Sequence, residues 1–122
     1  MILLDSNIII YLRDPAYGPD IMEKVGEHRL ATSNIVVAEV LGFGGLSAED
    51  SEYFDRLFSS MKNFPFDGMV TRRTIEIRKS LAIQMPDAII AASAIENSAI
   101  LWTHNQEDFK KVPNLQTFDP IE

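Results

Sequence analysis

The sequence predicts an α/β fold, in which a parallel β-sheet carries helices on both of its faces. Short apolar runs alternate along the chain with segments of helical periodicity, which is typical of strands joined by helical crossovers. The first run, Ile2-Leu3-Leu4, has no polar alternation, as expected of a strand covered on both sides. The chain has 122 residues, 46% of them hydrophobic, so we expect a single domain over residues 1–122.

The first half of the chain predicts strands that are each followed by helices. In chain order we expect a strand at Ile2–Leu4, a helix from Ser6 to Leu12, a helix of about two turns after a Gly18-Pro19 loop, a strand at Leu30–Thr32 and a helix over Asn34–Leu41. Ser6 and Ser33 are the expected N-caps, because a serine hydroxyl accepts from the free amides of a first turn. Asp14-Pro15 and Gly42 indicate where two of these helices end.

The second half continues the alternation. We expect, in order, a helix capped by Ser47 that buries Phe54, Leu57, Phe58 and Met61, an extended segment at Asn63–Phe66, a helix capped by Asp67, a helix over Pro86–Asn97, and strands at Ile100–Trp102 and Leu115–Phe118. The Pro86–Asn97 helix is small and apolar nearly all round, so it should be central and buried. Trp102 is expected in the core of the sheet.

Four acidic residues fall where such a sheet would gather them. Asp5 directly follows the first strand, and Asp108 lies on the loop after Trp102. Glu39 lies about two turns into the helix after the second strand, among apolar neighbours, and Asp87 lies in the first turn of an apolar helix. Parallel α/β sheets bind ligands beyond the carboxyl ends of their strands. We therefore expect these acids to share one cleft.

Each of these acids also has an ordinary structural explanation. Asp87 could complement a helix dipole, Asp5 could cap a helix, Asp108 could be solvated and Glu39 could face outward. Their conjunction favours a site, because carboxylates in one cleft repel one another and oxygen-rich clusters bind Mg²⁺ or Mn²⁺. Such an ion polarises phosphoryl oxygens and activates water, which makes a polyanionic substrate compatible with an acidic protein.

Four short motifs surround these acids in a fixed order. They are Asp5-Ser6-Asn7, Ala38-Glu39-Val40, Pro86-Asp87-Ala88-Ile89-Ile90-Ala91-Ala92 and Thr103-His104-Asn105-Gln106-Glu107-Asp108-Phe109. Together they resemble the PIN-domain ribonucleases, in particular the VapC-type toxins of bacterial and archaeal toxin–antitoxin pairs. The resemblance covers nearly the whole chain, and the third and fourth motifs contribute most of its specificity.

The resemblance implies a toxin that acts as an endoribonuclease and hydrolyses RNA with water activated by Mg²⁺ or Mn²⁺. Carried over by position, Asp5, Glu39, Asp87 and Asp108 form its acidic quartet, with Asp5 and Asp87 as the main metal ligands. The positions that support the site are Ser6, Thr103 and Asn105. The products would carry a 5′-phosphate and a 3′-hydroxyl. The resemblance also implies a cognate antitoxin and a homodimer.

Basic residues near these motifs are candidate contacts for RNA phosphates. They are Arg72, Arg73, Lys79, Lys110 and Lys111. Arg72 and Lys79 lie seven residues apart and so share one face of a helix. The alternative is that all five are solvated surface residues. His104 is expected to be a surface residue rather than a ligand, because imidazole is a poor partner for Mg²⁺.

Composition excludes several classes of function. The chain has no cysteine, which excludes a thiol nucleophile, a disulfide scaffold and a thiolate zinc site. Its 11 Lys and Arg residues against 18 Asp and Glu give a net charge of −7, which disfavours binding to nucleic acid through a broad basic surface. The densest apolar run, Ala88–Ile95, is far shorter than the roughly 20 residues of a membrane helix, and the N-terminus lacks a basic secretory signal. We expect a cytoplasmic protein without a membrane partner.

Non-enzymatic functions are the main alternatives. A receiver-like regulatory module would suit the length and an acidic Mg²⁺ pocket, but it needs an adjacent acidic pair near the first strand and a lysine at a late strand end. Asp5-Ser6-Asn7 lacks that pair, and Thr103-His104-Asn105 holds no lysine. A phosphatase of the Asp-x-Asp type is disfavoured by Asn7. A degenerate PIN domain that binds without cutting is disfavoured by the complete set of acids.

Overall fold

The computed structural model describes residues 1–121, which form a five-stranded sheet and seven helices. The strands are β1 (Ile2–Leu4), β2 (Leu30–Ser33), β3 (Lys62–Phe64), β4 (Ile100–Trp102) and β5 (Thr117–Phe118). The helices are α1 (Ser6–Arg13), α2 (Gly18–Val25), α3 (Asn34–Leu41), α4 (Ala48–Ser59), α5 (Gly68–Ser80), α6 (Met85–Glu96) and α7 (Gln106–Phe109).

All neighbouring strands of the sheet are parallel, and their order is β3-β2-β1-β4-β5. The central strand β1 aligns Leu3 with Ala31 of β2 and with Leu101 of β4. Parallel neighbours require crossovers, and helices provide them here. The predicted α/β fold with a parallel sheet is confirmed.

The core lies around β1 and α6. Every residue of β1 is buried, and so are seven residues of α6, the helix that the sequence predicted to be central. Trp102 is buried in the core as predicted. On α4, Phe54 and Phe58 are buried, whereas Leu57 is only half-buried. Because β1 is buried on both faces, a ligand can reach it only at an end, and parallel α/β sheets bind ligands beyond the carboxyl ends of their strands.

Side-chain caps set most helix starts. Ser33, Ser47 and Asp67 accept hydrogen bonds from first-turn amides of α3, α4 and α5, as predicted. The prediction that Ser6 caps α1 is wrong. The cap is Asp5, whose side chain accepts from the Ser6 backbone N–H.

Several boundaries differ from the predictions. The Gly18-Pro19 pair opens α2 instead of forming a loop before it, because proline is tolerated in a first helical turn. A Cβ at Gly18 would collide with the Leu12 carbonyl oxygen, so this close approach of α1 and α2 requires glycine. The strand expected at Asn63–Phe66 is Lys62–Phe64, and the last strand contains only Thr117–Phe118. Within residues 1–121, no helix has the length and apolar character needed to cross a bilayer.

Candidate active site

Asp5 lies at the carboxyl end of the central strand and is almost fully buried, with 3% of its surface exposed. Its Oδ1 accepts from the Ser6 backbone N–H at 2.8 Å, and its Oδ2 accepts from the Thr103 hydroxyl at 2.6 Å. Asn7 Nδ2 also approaches Oδ2, at 3.4 Å. Burial raises the pKa of Asp5, and the hydrogen bonds from Thr103 and Ser6 oppose that rise. The carboxylate is therefore costly to bury and held in one orientation.

Asp87 lies in the first turn of α6 and is half-buried. Partial burial, followed by the charges of Asp5 and Asp108, raises the pKa of Asp87 to about 6. A first-turn acid that only complemented a helix dipole would have its charged form favoured. The shift is in the opposite direction, because partial burial and the neighbouring carboxylates both disfavour the charged form of Asp87.

Glu39 lies on the exposed side of α3, so the expectation that apolar residues surround it is wrong. Its neighbours Val36 and Val40 are buried, whereas Glu39 itself is exposed. The pKa of Glu39 is nevertheless raised, first by partial loss of solvent and then by the charges of Asp5 and Asp87. Glu39 thus faces the other acids from the rim of the cleft.

Asp108 lies on the one-turn helix α7 and not on an irregular loop, and it is exposed. Its Oδ2 accepts from Asn105 Nδ2 at 3.0 Å. The Asn105 backbone N–H in turn donates to the Thr103 hydroxyl oxygen at 3.0 Å. Thr103 thereby connects the fourth motif to Asp5, since its hydroxyl also donates to that carboxylate.

The structure brings the charges of Asp5 and Asp108 near enough to Asp87 to raise its pKa, and the charges of Asp5 and Asp87 near enough to Glu39 to raise its pKa. None of these four acids pairs with a lysine, arginine or histidine in the part of the chain that the structure describes. Across residues 1–121, no three side chains already converge closely enough to hold an ion together. The donor set still fits a hard divalent cation, because carboxylate oxygens are its preferred ligands and like charges here lack a protein counter-ion.

Two neighbouring residues were not assigned a role from the sequence. Asn7 Oδ1 accepts from the His104 backbone N–H at 3.2 Å, so Asn7 joins the loop after β4 to the Asp5 carboxylate. The sequence did carry a signal for this role of Asn7, because Asn7 lies two residues after Asp5 at the start of a helix. Asp119 accepts from His104 Nδ1 at 2.8 Å. No signal for that pair existed, because 15 residues separate the partners.

The predicted basic contacts divide into paired and unpaired residues. Arg73 is held between α5 and α6 by Glu96 at 2.9 Å and by Glu76 at 3.4 Å, so its side chain is structural. Lys110 pairs with Glu107 at 3.3 Å. Arg72, Lys79 and Lys111 are exposed on the surface, and no ion pair involves them within residues 1–121. Of the five predicted contacts, these three have side chains that are free to contact a phosphate.

The domain is thus a parallel α/β domain with Asp5 at the carboxyl end of its central strand and the charge of Asp87 close to it. The chain belongs to the PIN domain family, whose family model matches residues 2–115, and within it to the VapC type. It is 30% identical to Ribonuclease VapC2 of Rickettsia felis in an alignment that covers 93% of this chain and 92% of that protein. The resemblance found in the four motifs is thereby confirmed.

Solved structures show the same architecture over the whole chain. A VapBC2 structure from Rickettsia felis, bound to a DNA fragment from its promoter, matches with a TM-score of 0.81 and 28% identity over 98% of both chains. VapBC-1 from nontypeable Haemophilus influenzae matches with a TM-score of 0.84 and 28% identity over 100% of both chains. FitAcB from Neisseria gonorrhoeae matches with a TM-score of 0.81 and 25% identity over 100% of this chain and 99% of that chain.

Proposed function

We propose that this chain is a metal-dependent endoribonuclease and the toxin of a toxin–antitoxin pair. The observation that carries the proposal is the mutual electrostatic effect of the acids, with the pKa of Asp87 raised to about 6 by burial and by Asp5 and Asp108. Similarity to Ribonuclease VapC2 supports RNA as the substrate. Membership of the PIN family removes the receiver-like alternative and leaves a PIN domain that binds without cutting as the competing function.

Asp5 and Asp87 are the proposed main ligands of Mg²⁺ or Mn²⁺, and Glu39 and Asp108 complete the site directly or through water. Asp5 is rigid because Thr103 and Ser6 fix its two oxygens, and oriented carboxylates lose little entropy when they bind an ion. Asp108 and Glu39 are exposed and can adjust to the ion. Such an ion, when bound, polarises phosphoryl oxygens and lowers the pKa of water.

The chain's own residues then have defined tasks. The four carboxylates must be ionised to bind a cation, so any proton on Asp87 leaves when the ion binds. Thr103 keeps donating to Asp5, and Asn105 keeps donating to Asp108. Water attacks the phosphorus, the bond to the 3′-oxygen breaks, and that oxygen takes up a proton. No covalent intermediate is required, which suits a chain without cysteine.

The cellular partners follow from the same comparisons. The matched VapBC structures are assemblies named for two components, and a related structure from Klebsiella pneumoniae is described as a toxin–antitoxin complex. We infer a cognate antitoxin with a basic segment, because a net charge of −7 favours a cationic partner. A homodimer of this single domain, in the cytoplasm, is the state in which we expect it to act.

Cleavage of RNA by the purified chain tests the proposal. The chain, freed of any copurified partner, is incubated with total cellular RNA and either Mg²⁺ or Mn²⁺, beside an Asp87→Asn control. Discrete cuts that disappear with EDTA and in the control would support the proposal, and mapping the new ends would identify the RNA. Folded, partner-free protein that cuts nothing with either ion would favour the binding-only function.

A further inference from the structure

Three rings form a row beside the candidate active site, which we call the aromatic row. Its members are Tyr17, Tyr11 and His104. The Tyr17 and Tyr11 ring centroids lie 4.8 Å apart with planes at 67°, and the Tyr11 and His104 centroids lie 5.9 Å apart with planes at 85°. These are edge-to-face contacts, so the rings are not stacked flat on one another.

The aromatic row begins inside the hydrogen-bond network of Asp5. The backbone N–H of His104 donates to Asn7, and Asn7 approaches the Asp5 carboxylate. Thr103, the residue before His104, donates directly to that carboxylate. The row therefore leads away from the candidate metal ligands, past the last turn of α1, to Tyr17 at the start of α2.

The rings are accessible, and the structure fixes their positions. The His104 side chain is 46% exposed, and Tyr17 is 39% exposed. The imidazole Nδ1 lies 2.8 Å from Asp119, whose side chain is only 9% exposed, so one edge of the ring is anchored and the other faces solvent. Tyr11 is half-buried and packs against the hydrophobic core, which gives the row a rigid middle member.

We propose that the aromatic row binds unpaired bases of single-stranded RNA next to the phosphate that is cleaved, a proposal that rests on the proposed function. Aromatic side chains beside a backbone-binding site are how proteins hold splayed bases of single strands. The charge of the chain strengthens the case. A net charge of −7 disfavours binding through a broad basic surface, so contacts to bases are a suitable further source of affinity.

Binding of two matched probes tests this proposal without using cleavage as the readout. One probe is a fluorescein-labelled oligoadenosine RNA, and the other is an RNA of the same length whose internal nucleotides are abasic. Fluorescence anisotropy is recorded at low salt in EDTA and again with Ca²⁺. Wild-type protein should bind the oligoadenosine probe more tightly than the abasic probe, because both carry the same phosphates and only one carries bases.

The variants then assign the difference to the rings. Tyr17→Ala and His104→Ala should each weaken binding of the oligoadenosine probe by about fivefold or more, the lower end of what one stacked base contributes, and leave the abasic probe unchanged. His104→Phe should retain most of the binding, because it keeps a ring and loses only the contact to Asp119. Phe43→Ala, which removes a ring that is 66% exposed on the loop after α3, is the matched control and should bind like wild type.

Several outcomes would overturn the proposal. They are no binding by the wild type in either condition, equal losses on both probes, an equal loss in the Phe43→Ala control, or unchanged RNA binding with weakened affinity for the copurified antitoxin. The last outcome would assign the row to a protein partner. A wild type that binds bases through the row but cleaves no RNA refutes only the proposed function, whereas cleavage with unaffected variants refutes only the base contact.

Discussion

Two helices in this protein begin at an aspartate, and the two aspartates differ in everything except that role. Asp67 caps α5 from an exposed position, where its carboxylate accepts from the Val70 backbone N–H at 3.0 Å. Asp5 caps α1, but it is buried and receives a second hydrogen bond from Thr103. Other carboxylates also lie near enough to Asp5 for its charge to raise their pKa values. A capping role is sufficient to explain an aspartate at position 67. It does not explain why Asp5 is buried, bonded to Thr103 and close to other carboxylates.

The difference teaches that a local sequence rule can be satisfied at a functional position without being the reason for the residue. A cap contributes about 1 kcal/mol, and a serine or asparagine could supply it. Burial of an ionised group among like charges costs at least as much. A residue that destabilises the ligand-free protein is expected to serve a function, and binding of a ligand is expected to offset the destabilisation.

The largest expected effect is a loss of RNA cleavage on substitution of Asp5 but not of Asp67. Asp5→Asn and Asp87→Asn should each reduce kcat/KM for RNA cleavage by about 100-fold or more, because each removes a charge that must hold the ion. Asp67→Asn keeps a capping oxygen, and Asp67 is not among the charges that raise the pKa of Glu39 or Asp87, so this variant should stay within about twofold of wild type. Equal losses in all three variants would mean that the assay reports stability and not the site.

Removing the hydrogen bond that distinguishes Asp5 from Asp67 should have the next largest effect. Thr103→Val deletes the hydroxyl that donates to Asp5 at 2.6 Å, so Mn²⁺ affinity measured by calorimetry should fall by about 10- to 100-fold. Thr103→Ser keeps the donor and is the matched control. Wild-type affinity in the valine variant would show that the Asp5 carboxylate needs no orienting partner.

The metal-free protein should lose stability as the pH rises from about 4 to about 6. The pKa of Asp87 is raised from the ordinary value of 3.8 to about 6, so in this range the folded state binds more protons than the unfolded state. Stability then decreases with pH, by about 1 to 2 kcal/mol after allowance for solvent screening. Urea unfolding at several pH values measures this slope.

Two controls sharpen the pH experiment. The Asp87→Asn variant should show a flatter dependence, because the titrating group is gone. Saturating Mn²⁺ should reverse the trend for wild type, since the ion binds only the ionised carboxylates and loses affinity as the pH falls below about 6. A dependence that is identical in wild type and variant would assign the pH effect to other residues.

The smallest expected effect concerns the caps themselves. Asp67→Ala should lower the free energy of unfolding by about 1 kcal/mol while leaving RNA cleavage intact at temperatures where the variant is folded. Asp5→Asn retains a capping oxygen and relieves repulsion, so the metal-free variant should be as stable as wild type or more stable. A clear fall in its melting temperature without metal would make Asp5 chiefly a structural residue.

Much of the fold could be predicted because local signals agreed with the tertiary structure. Apolar runs without alternation marked buried parallel strands, and the apolar Pro86–Asn97 segment marked the central helix α6. Ser33, Ser47 and Asp67 marked helix starts by the side-chain oxygens that caps require. Errors fell on boundaries, such as the Gly18-Pro19 pair, where packing of α1 against α2 and not local preference decided the structure.

The proximity of Asp5 and Asp87 could be predicted from the sequence, whereas the detailed geometry of the candidate site could not. Strand ends and helix starts placed Asp5 and Asp87 near one another, because parallel strands share a carboxyl edge. The exposure of Glu39 could not be predicted, because the apolar residues on both sides of it in the sequence do not reveal which side of α3 faces the core. The pairing of Arg73 with Glu96 and of His104 with Asp119 depends on distant parts of the chain, and one sequence carries no signal for such contacts.

The most direct test of the central claim is whether the acids bind a divalent ion as a unit. Isothermal titration calorimetry with Mn²⁺ on the partner-free protein, at a pH near 7.5, compares wild type with Asp5→Asn, Asp87→Asn and Asp67→Asn. We expect saturable binding in wild type and in Asp67→Asn, and a loss of at least about tenfold in affinity for each of the other two variants. Absence of Mn²⁺ binding by the folded wild type, or equal binding by all four proteins, would contradict the claim that these carboxylates form a metal site.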